Sequence, residues 1–162
     1  FLTAFNQINQ NFHETFVKLF GGGSCDLKLD LSETDDPLEA GIEIFSQPPG
    51  KRLQNISLLS GGEQAFTAIA ILFAILMLKP MPFCVLDEID SALDDSNANL
   101  FAEYLRKFSE ETQFIVITHR KATMRHASTI FGVTMEEKGV TKIVSISFDE
   151  AVKRADKINR EG

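Results

Sequence analysis

With 162 residues, 44% of them hydrophobic and 24% charged, the chain has the size and composition of one globular domain. That excludes a disordered or fibrous polypeptide, and a formal net charge of −7 excludes the overall basic character of a protein that holds nucleic acid by charge alone. Fourteen Phe against no Trp and one Tyr point to a core built on aromatic packing.

Phe1, Phe5, Ile8, Phe12 and Phe16 recur at spacings of four, three, four and four. This marks one face of an amphipathic helix, which Leu19 and Phe20 extend and "GGGS" ends, predicting a helix over 1–20. "CDLKLDLSE" then alternates apolar and polar residues as a half-buried strand does. "GIEIFSQPPGK" gives a second strand, forced into a turn by Pro48-Pro49-Gly50. Ser60 followed by Glu63 is a capping box ahead of an apolar run from Ala65 to Leu78, which Lys79, Pro80 and Pro82 close. That run is too short to span a bilayer and fits a buried core helix.

"FCVLDE" and "TQFIVITH" are short, nearly all-apolar runs, the pattern of central strands covered on both faces in a parallel sheet. Between them "SNANLFAEYLRKFSEE" reads as an amphipathic helix with Leu100, Tyr104 and Phe108 on one face. "ATMRHAS" predicts a short helix, residues 129–148 a hairpin turning at Glu137-Lys138-Gly139, and residues 149–162 a charged helix that holds one candidate for a local basic patch, "KRADKINR". The fold class is therefore α/β, a mostly parallel central sheet flanked by helices with antiparallel strands near the ends. Cys25 and Cys84 match no metal-binding spacing and read as reduced thiols of a cytosolic protein, with a disulfide as the minor alternative. No signal-peptide pattern opens the chain, and its start at Phe1 in mid-helix and finish at "REG" read as a segment of something longer.

Candidate chemistry gathers at the ends of the two apolar strands. Asp87 and Glu88 close one and His119 the other, and in open α/β sheets ligands bind at the strands' carboxyl ends. An apolar strand ending in Asp suits a Mg²⁺ held beside a triphosphate, and the Glu after it is placed to orient or deprotonate an attacking water. Structural capping is the plainer role for such acids, and the phosphate-binding groups of "SGGEQ" weigh against it. A helix N-terminus offers unpaired N–H groups, and Gly61 and Gly62 remove the side chains that would hold a phosphate away. Glycine costs about 1 kcal/mol each relative to alanine in a helix, against about 1.5–3 kcal/mol for a hydrogen bond to a charged group. The phosphate-wrapping loop G-x-x-x-x-G-K-[ST] is absent from the 162 residues, so these motifs make half of a nucleotide site.

"LSGGEQ", then "FCVLDEIDSALDD", then "FIVITHRK" resembles the order of signature motif, Walker B, D-loop and switch histidine in ATP-binding-cassette ATPases. The nearest pattern is the C-terminal half of the ATPase head of structural maintenance of chromosomes (SMC) proteins of bacterial or archaeal type, with "QPPGKRLQNIS" and "FGVTMEEKGVTKIVSISF" extending the likeness over nearly the whole chain. The resemblance implies the C-terminal lobe of an ABC-type P-loop ATPase head. Residues 1–20 would lead in from a coiled coil and residues 58–119 would carry the motifs. The N-terminal half would bring Walker A, and two heads would sandwich ATP and Mg²⁺, each nucleotide meeting the signature motif of the opposite head.

Carried over by position, Asp87 serves Mg²⁺ through water, Glu88 the hydrolytic water, and His119 the γ-phosphate or that water. Asp94 lies at the head–head interface; Ser60, Gly61 and Gly62 meet the partner head's nucleotide, with Gln64 nearby. Expected partners are the N-terminal half, a second SMC head, the C-terminal winged-helix region of a kleisin subunit, and DNA through the full complex, in the cytoplasm on the nucleoid. His126-Ala127-Ser128 and Phe131 depart from the commoner family residues, outside the nucleotide motifs. Competing expectations are a coiled-coil ABC ATPase of DNA repair and a non-enzymatic platform for a kleisin. A transporter nucleotide-binding domain fits less well, since only 59 residues precede Ser60.

Overall fold

In the computed structural model, residues 1–147 are described. Helix α1, Leu2–Phe20, ends in a left-handed Gly21 whose N–H donates to the Val17 carbonyl. Of its predicted stripe, Phe12 and Phe16 are fully buried and Phe5 and Ile8 pack against the core edge, while Phe1, just before the helix, is exposed. Strand β1, Ser24–Asp30, pairs antiparallel with β2, Gly41–Gln47, which pairs with the short β3, Gln54–Asn55. Gly23 enters this sheet at φ 83°, where a Cβ would lie 2.2 Å from the Gln47 carbonyl oxygen, so only glycine fits there.

Helix α2, Gly61–Leu78, packs on α1 and carries Phe66, Ile69, Ala70, Phe73, Ala74 and Leu76 into the core. By length and composition α2 could cross a membrane, but its apolar side is core. The aromatic surplus is spent here: Phe16 stacks on Phe20, Phe20 tilts against Phe66, and Phe73 meets Phe101, Tyr104 and Phe108. Several buried polar groups between these elements are matched. Asn11 donates to the Ala74 carbonyl at 3.1 Å, the Thr15 and Tyr104 hydroxyls lie 3.3 Å apart, and those of Ser46 and Thr67 lie 3.4 Å apart.

Strand β4, Phe83–Asp87, pairs in parallel with β5, Gln113–Ile117, and helix α3, Asp95–Phe108, connects them. A single turn, α4, Lys121–Met124, follows β5. Strands β6, Thr129–Glu137, and β7, Val140–Ser147, form the expected hairpin, turning through Gly139 at φ 83°. The predicted helix 149–162 and its basic stretch lie outside the described residues.

Three expectations change. Among the described residues the parallel part of the fold is the β4–β5 pair alone, and the other strands pair antiparallel. These two strands are also not covered on both faces. Cys84 and Leu86 are buried, whereas Phe83, Val85, Ile115 and Ile117 on the opposite face are about half exposed, because no described segment packs there. On α3 the buried face runs through Ala98, Phe101, Ala102, Tyr104 and Leu105, leaving Leu100 exposed; the helix is rotated about one position from the expected face.

Candidate active site

Parallel pairing in register, Asp87 opposite Ile117, brings the carboxyl ends of β4 and β5 together. The Glu88 N–H extends the ladder by donating to the Ile117 carbonyl at 2.9 Å. Glu88 then turns to φ 48°, the one non-glycine residue with a positive φ among the described residues. A left-handed non-glycine residue costs on the order of 1–3 kcal/mol and persists only where its surroundings impose it. The turn sets the Glu88 carboxylate 3.6 Å from Nδ1 of His119, with both side chains mostly exposed. Asp87 is exposed on the uncovered face of the sheet, beside Val85 and Ile117 in the pleat. Thus Glu88 and His119 face each other at the strand ends, and Asp87 closes β4 on its uncovered face.

The signature stretch folds as the capping box predicted, with Ser60 as N-cap of α2. The Ser60 hydroxyl donates to Glu63 Oε2 at 2.6 Å, and Lys51 Nζ reaches the same oxygen at 2.8 Å. These bonds, the Lys51 donor above all, hold the Glu63 carboxyl below its ordinary range. For the Ser60 proton to reach a phosphate, its hydroxyl must rotate away from Glu63. Lys51 was not singled out in the sequence; no spacing rule ties it to a residue twelve positions on.

The two glycines have different reasons. A Cβ on Gly61 would meet nothing within 4 Å, leaving its backbone open to a ligand. A Cβ on Gly62 would lie 3.2 Å from the Ala92 carbonyl oxygen, so Gly62 lets the helix start pack closely on the loop after Glu88. Gln64 is engaged structurally, its amide donating to the Leu59 carbonyl at 3.1 Å. Asp94 is exposed and caps α3, accepting from the Asn97 N–H at 2.7 Å. Beside His119 an open cleft of about 410 Å³ is lined by Arg120, Lys121 and Arg125 against Asp95, a cation-rich wall suited to anionic oxygens.

A Mg²⁺ ion keeps most of its waters and takes one or two carboxylates together with substrate phosphates. The exposed Asp87 fits that role, and among the described residues no group of three or more His, Cys, Asp or Glu forms a protein-only metal site. Both cysteines are free and buried; burial pushes the Cys25 thiol up to about 12, helped by the neighbouring Asp26, and raises that of Cys84.

A β4–α3–β5 unit with acids and a histidine at its strand ends, joined to an antiparallel sheet and a capped apolar helix, is a mixed helix-and-strand fold of the SMC ATPase-head kind. A solved structure described as "Structural biochemistry of ATP-driven dimerization and DNA stimulated activation of SMC ATPases" superposes at a TM-score of 0.83 with 43% identity, over 98% of this chain and 94% of that one. The chain belongs to the RecF/RecN/SMC N terminal domain family, whose model matches residues 6–142. It is 55% identical over 150 residues to the chromosome partition protein Smc of Bacillus subtilis (strain 168), a match spanning 93% of this chain and 12% of that protein. An Smc head solved bound to the C-terminal winged-helix domain of ScpA aligns at a TM-score of 0.82 with 46% identity, over 93% of this chain and 46% of that one.

Proposed function

We propose that the chain is the C-terminal lobe of an SMC-type, ABC-class ATPase head, completed by an N-terminal half that carries Walker A and extends the β4–β5 pair into a larger parallel sheet. ATP bound between two such heads joins them, and hydrolysis releases them, in chromosome condensation and segregation on the nucleoid in the cytoplasm. The observation that carries this reading is Glu88, held at φ 48° just beyond strand β4 with its carboxylate 3.6 Å from His119. Motif content supports the C-terminal assignment: signature, acid pair and histidine are present and G-x-x-x-x-G-K-[ST] is not. The match to less than half of a solved Smc head agrees with a lobe, and the uncovered apolar face of β4–β5 is the surface a missing half would bury.

In this reading Glu88 orients and deprotonates the attacking water, and His119 fixes that water and the γ-phosphate. Asp87 holds Mg²⁺ through water, and the ion, when bound, neutralises phosphate charge. Ser60 and the open backbone at Gly61 meet the nucleotide of the opposite head, Gln64 braces that loop, and Asp94 lies at the junction of the two heads. With the complete head, Glu88→Gln retains ATP binding and accumulates joined heads on size exclusion. Ser60→Arg binds ATP and stays monomeric. Normal turnover by the first variant, or ATP-dependent dimers of the second, would overturn the assignment.

A second role rests on its own observation. One face of the β6–β7 hairpin presents a run of exposed apolar side chains, Phe131, Val133 and Met135 on β6 and Ile143 opposite Val133. Such a patch marks a docking surface, and the partner proposed for it is a kleisin C-terminal winged-helix domain. Val133→Asp should weaken binding of that domain by about tenfold or more in a titration, the loss expected for a central apolar contact. Unchanged affinity would remove the hairpin from the interface.

A further inference from the structure

The facing pair Glu88 and His119 is solvated on both sides, and two exposed side chains do not hold each other at a fixed distance. What fixes them lies beneath. Asp90, 1% exposed, points its carboxylate into the space between the two strand-end loops. Its Oδ2 accepts from the Thr118 hydroxyl at 2.8 Å and from the Thr123 hydroxyl, while Oδ1 is buried without a partner among the described residues. The Thr118 oxygen in turn accepts the Arg120 N–H at 3.0 Å. Arg120 crosses back, Nη2 donating to the Ser91 carbonyl at 2.8 Å and Nη1 reaching Asp95 Oδ1 at 3.4 Å. His119 is therefore bracketed: the residue before it is tied to Asp90 and the residue after it to Ser91 and Asp95. All three anchors belong to the segment that Glu88 begins.

We infer that Asp90 is a positioning residue for the reaction assigned above, locking the His119 loop to the Glu88 loop through the Thr118 hydroxyl so that the two reacting side chains face one water. The inference rests on the roles proposed for Glu88 and His119. Its chemistry is specific. Only an acceptor at Oδ2 is required, because Oδ1 bonds to no other described residue. Asparagine can supply that acceptor from its amide oxygen, with the amide nitrogen taking the place of Oδ1. Alanine cannot, and it leaves two hydroxyls unpaired.

Steady-state ATP turnover of the complete head, with melting temperature measured alongside, tests this. Asp90→Ala and Thr118→Val should each lower kcat by about 10–100-fold, the range expected when a catalytic group is misplaced by a fraction of an ångström to an ångström, with KM for ATP little changed. Asp90→Asn should recover most of the lost rate. Thr123→Val removes the other hydroxyl from the same oxygen and should shift the melting temperature about as far as Thr118→Val, yet lower kcat much less. Adding Thr118→Val to His119→Ala should cost almost nothing more, since the group being positioned is gone. Equal kcat losses for the two threonine variants, or additive losses on the His119→Ala background, would reduce the network to plain scaffolding and overturn the inference. Turnover that survives Glu88→Gln would instead sink the underlying catalytic reading, so the two failures are distinguishable.

Discussion

The two faces of the β4–β5 pair are made of similar residues and meet different surroundings. On one, Leu86 is 4% exposed and belongs to the core cluster that residues of α2 and α3 also form; on the other, Val85 is 54% exposed, one position away. Valine, isoleucine and phenylalanine at neighbouring positions of an open strand have no reason to face water in an assembled protein. The described residues cover one face only, and the apolar character of the other is what the proposed second half would use. Asp87 points to the uncovered side, so whatever covers it also lies over the acid proposed to serve Mg²⁺.

That contrast can be broken or sharpened by substitution. Leu86→Ala should cost about 2–5 kcal/mol in chemical denaturation of the chain alone, the usual range for a buried leucine truncation. A loss below 1 kcal/mol would mean that the inner face is not a packed core. Gly62→Ala should cost about 1–3 kcal/mol, since its methyl must push back the Ala92 carbonyl. Gly61→Ala should stabilise the isolated chain by about 0.4–1 kcal/mol while weakening ATP-dependent joining of complete heads. Opposite signs in stability for the two glycines are the result to look for.

Val85→Thr should change the stability of the chain alone by no more than about 0.5 kcal/mol, as surface substitutions do. In the complete head the same change should cost about 1–3 kcal/mol by burying a hydroxyl without a partner; equal effects in both settings would mean that the face is never covered. The smallest effect concerns pH. Glu63 has a folded-state pKa below its unfolded value of about 4.3. Its link to Lys51 and Ser60 therefore contributes above that value and fades as pH falls through the lower folded value. Lys51→Met should remove less than about 1 kcal/mol at pH 7 and flatten the stability curve between roughly pH 4.3 and the acid limb.

Much of this was legible in the sequence, for local reasons. The Phe1-to-Phe16 spacing fixes one helix face, Ser60 and Glu63 announce a helix start, and acids and a histidine after apolar runs fall at strand ends. The sequence marks Thr118 only as the polar end of a strand and gives no role to Asp90 or Thr123, because their bonds close across separations of 28 and 33 residues and no periodicity encodes such a contact. Gly62 looked like a twin of Gly61 because a close approach to Ala92 exists only after the chain has folded back. The one-sided cover of β4–β5 was hidden for a different reason: apolar residues record that both faces avoid water, not which chain provides the shelter.

The central claim is that these residues are half of a nucleotide-hydrolysing site. The most direct measurement is steady-state phosphate release from ATP and Mg²⁺ by the chain alone, by the chain with a purified N-terminal half bearing G-x-x-x-x-G-K-[ST], and by that pair carrying Glu88→Gln. No turnover alone, turnover when complemented, and its loss on substituting Glu88 is the predicted outcome. Turnover by the chain alone, or complemented turnover that does not depend on Glu88, would contradict it.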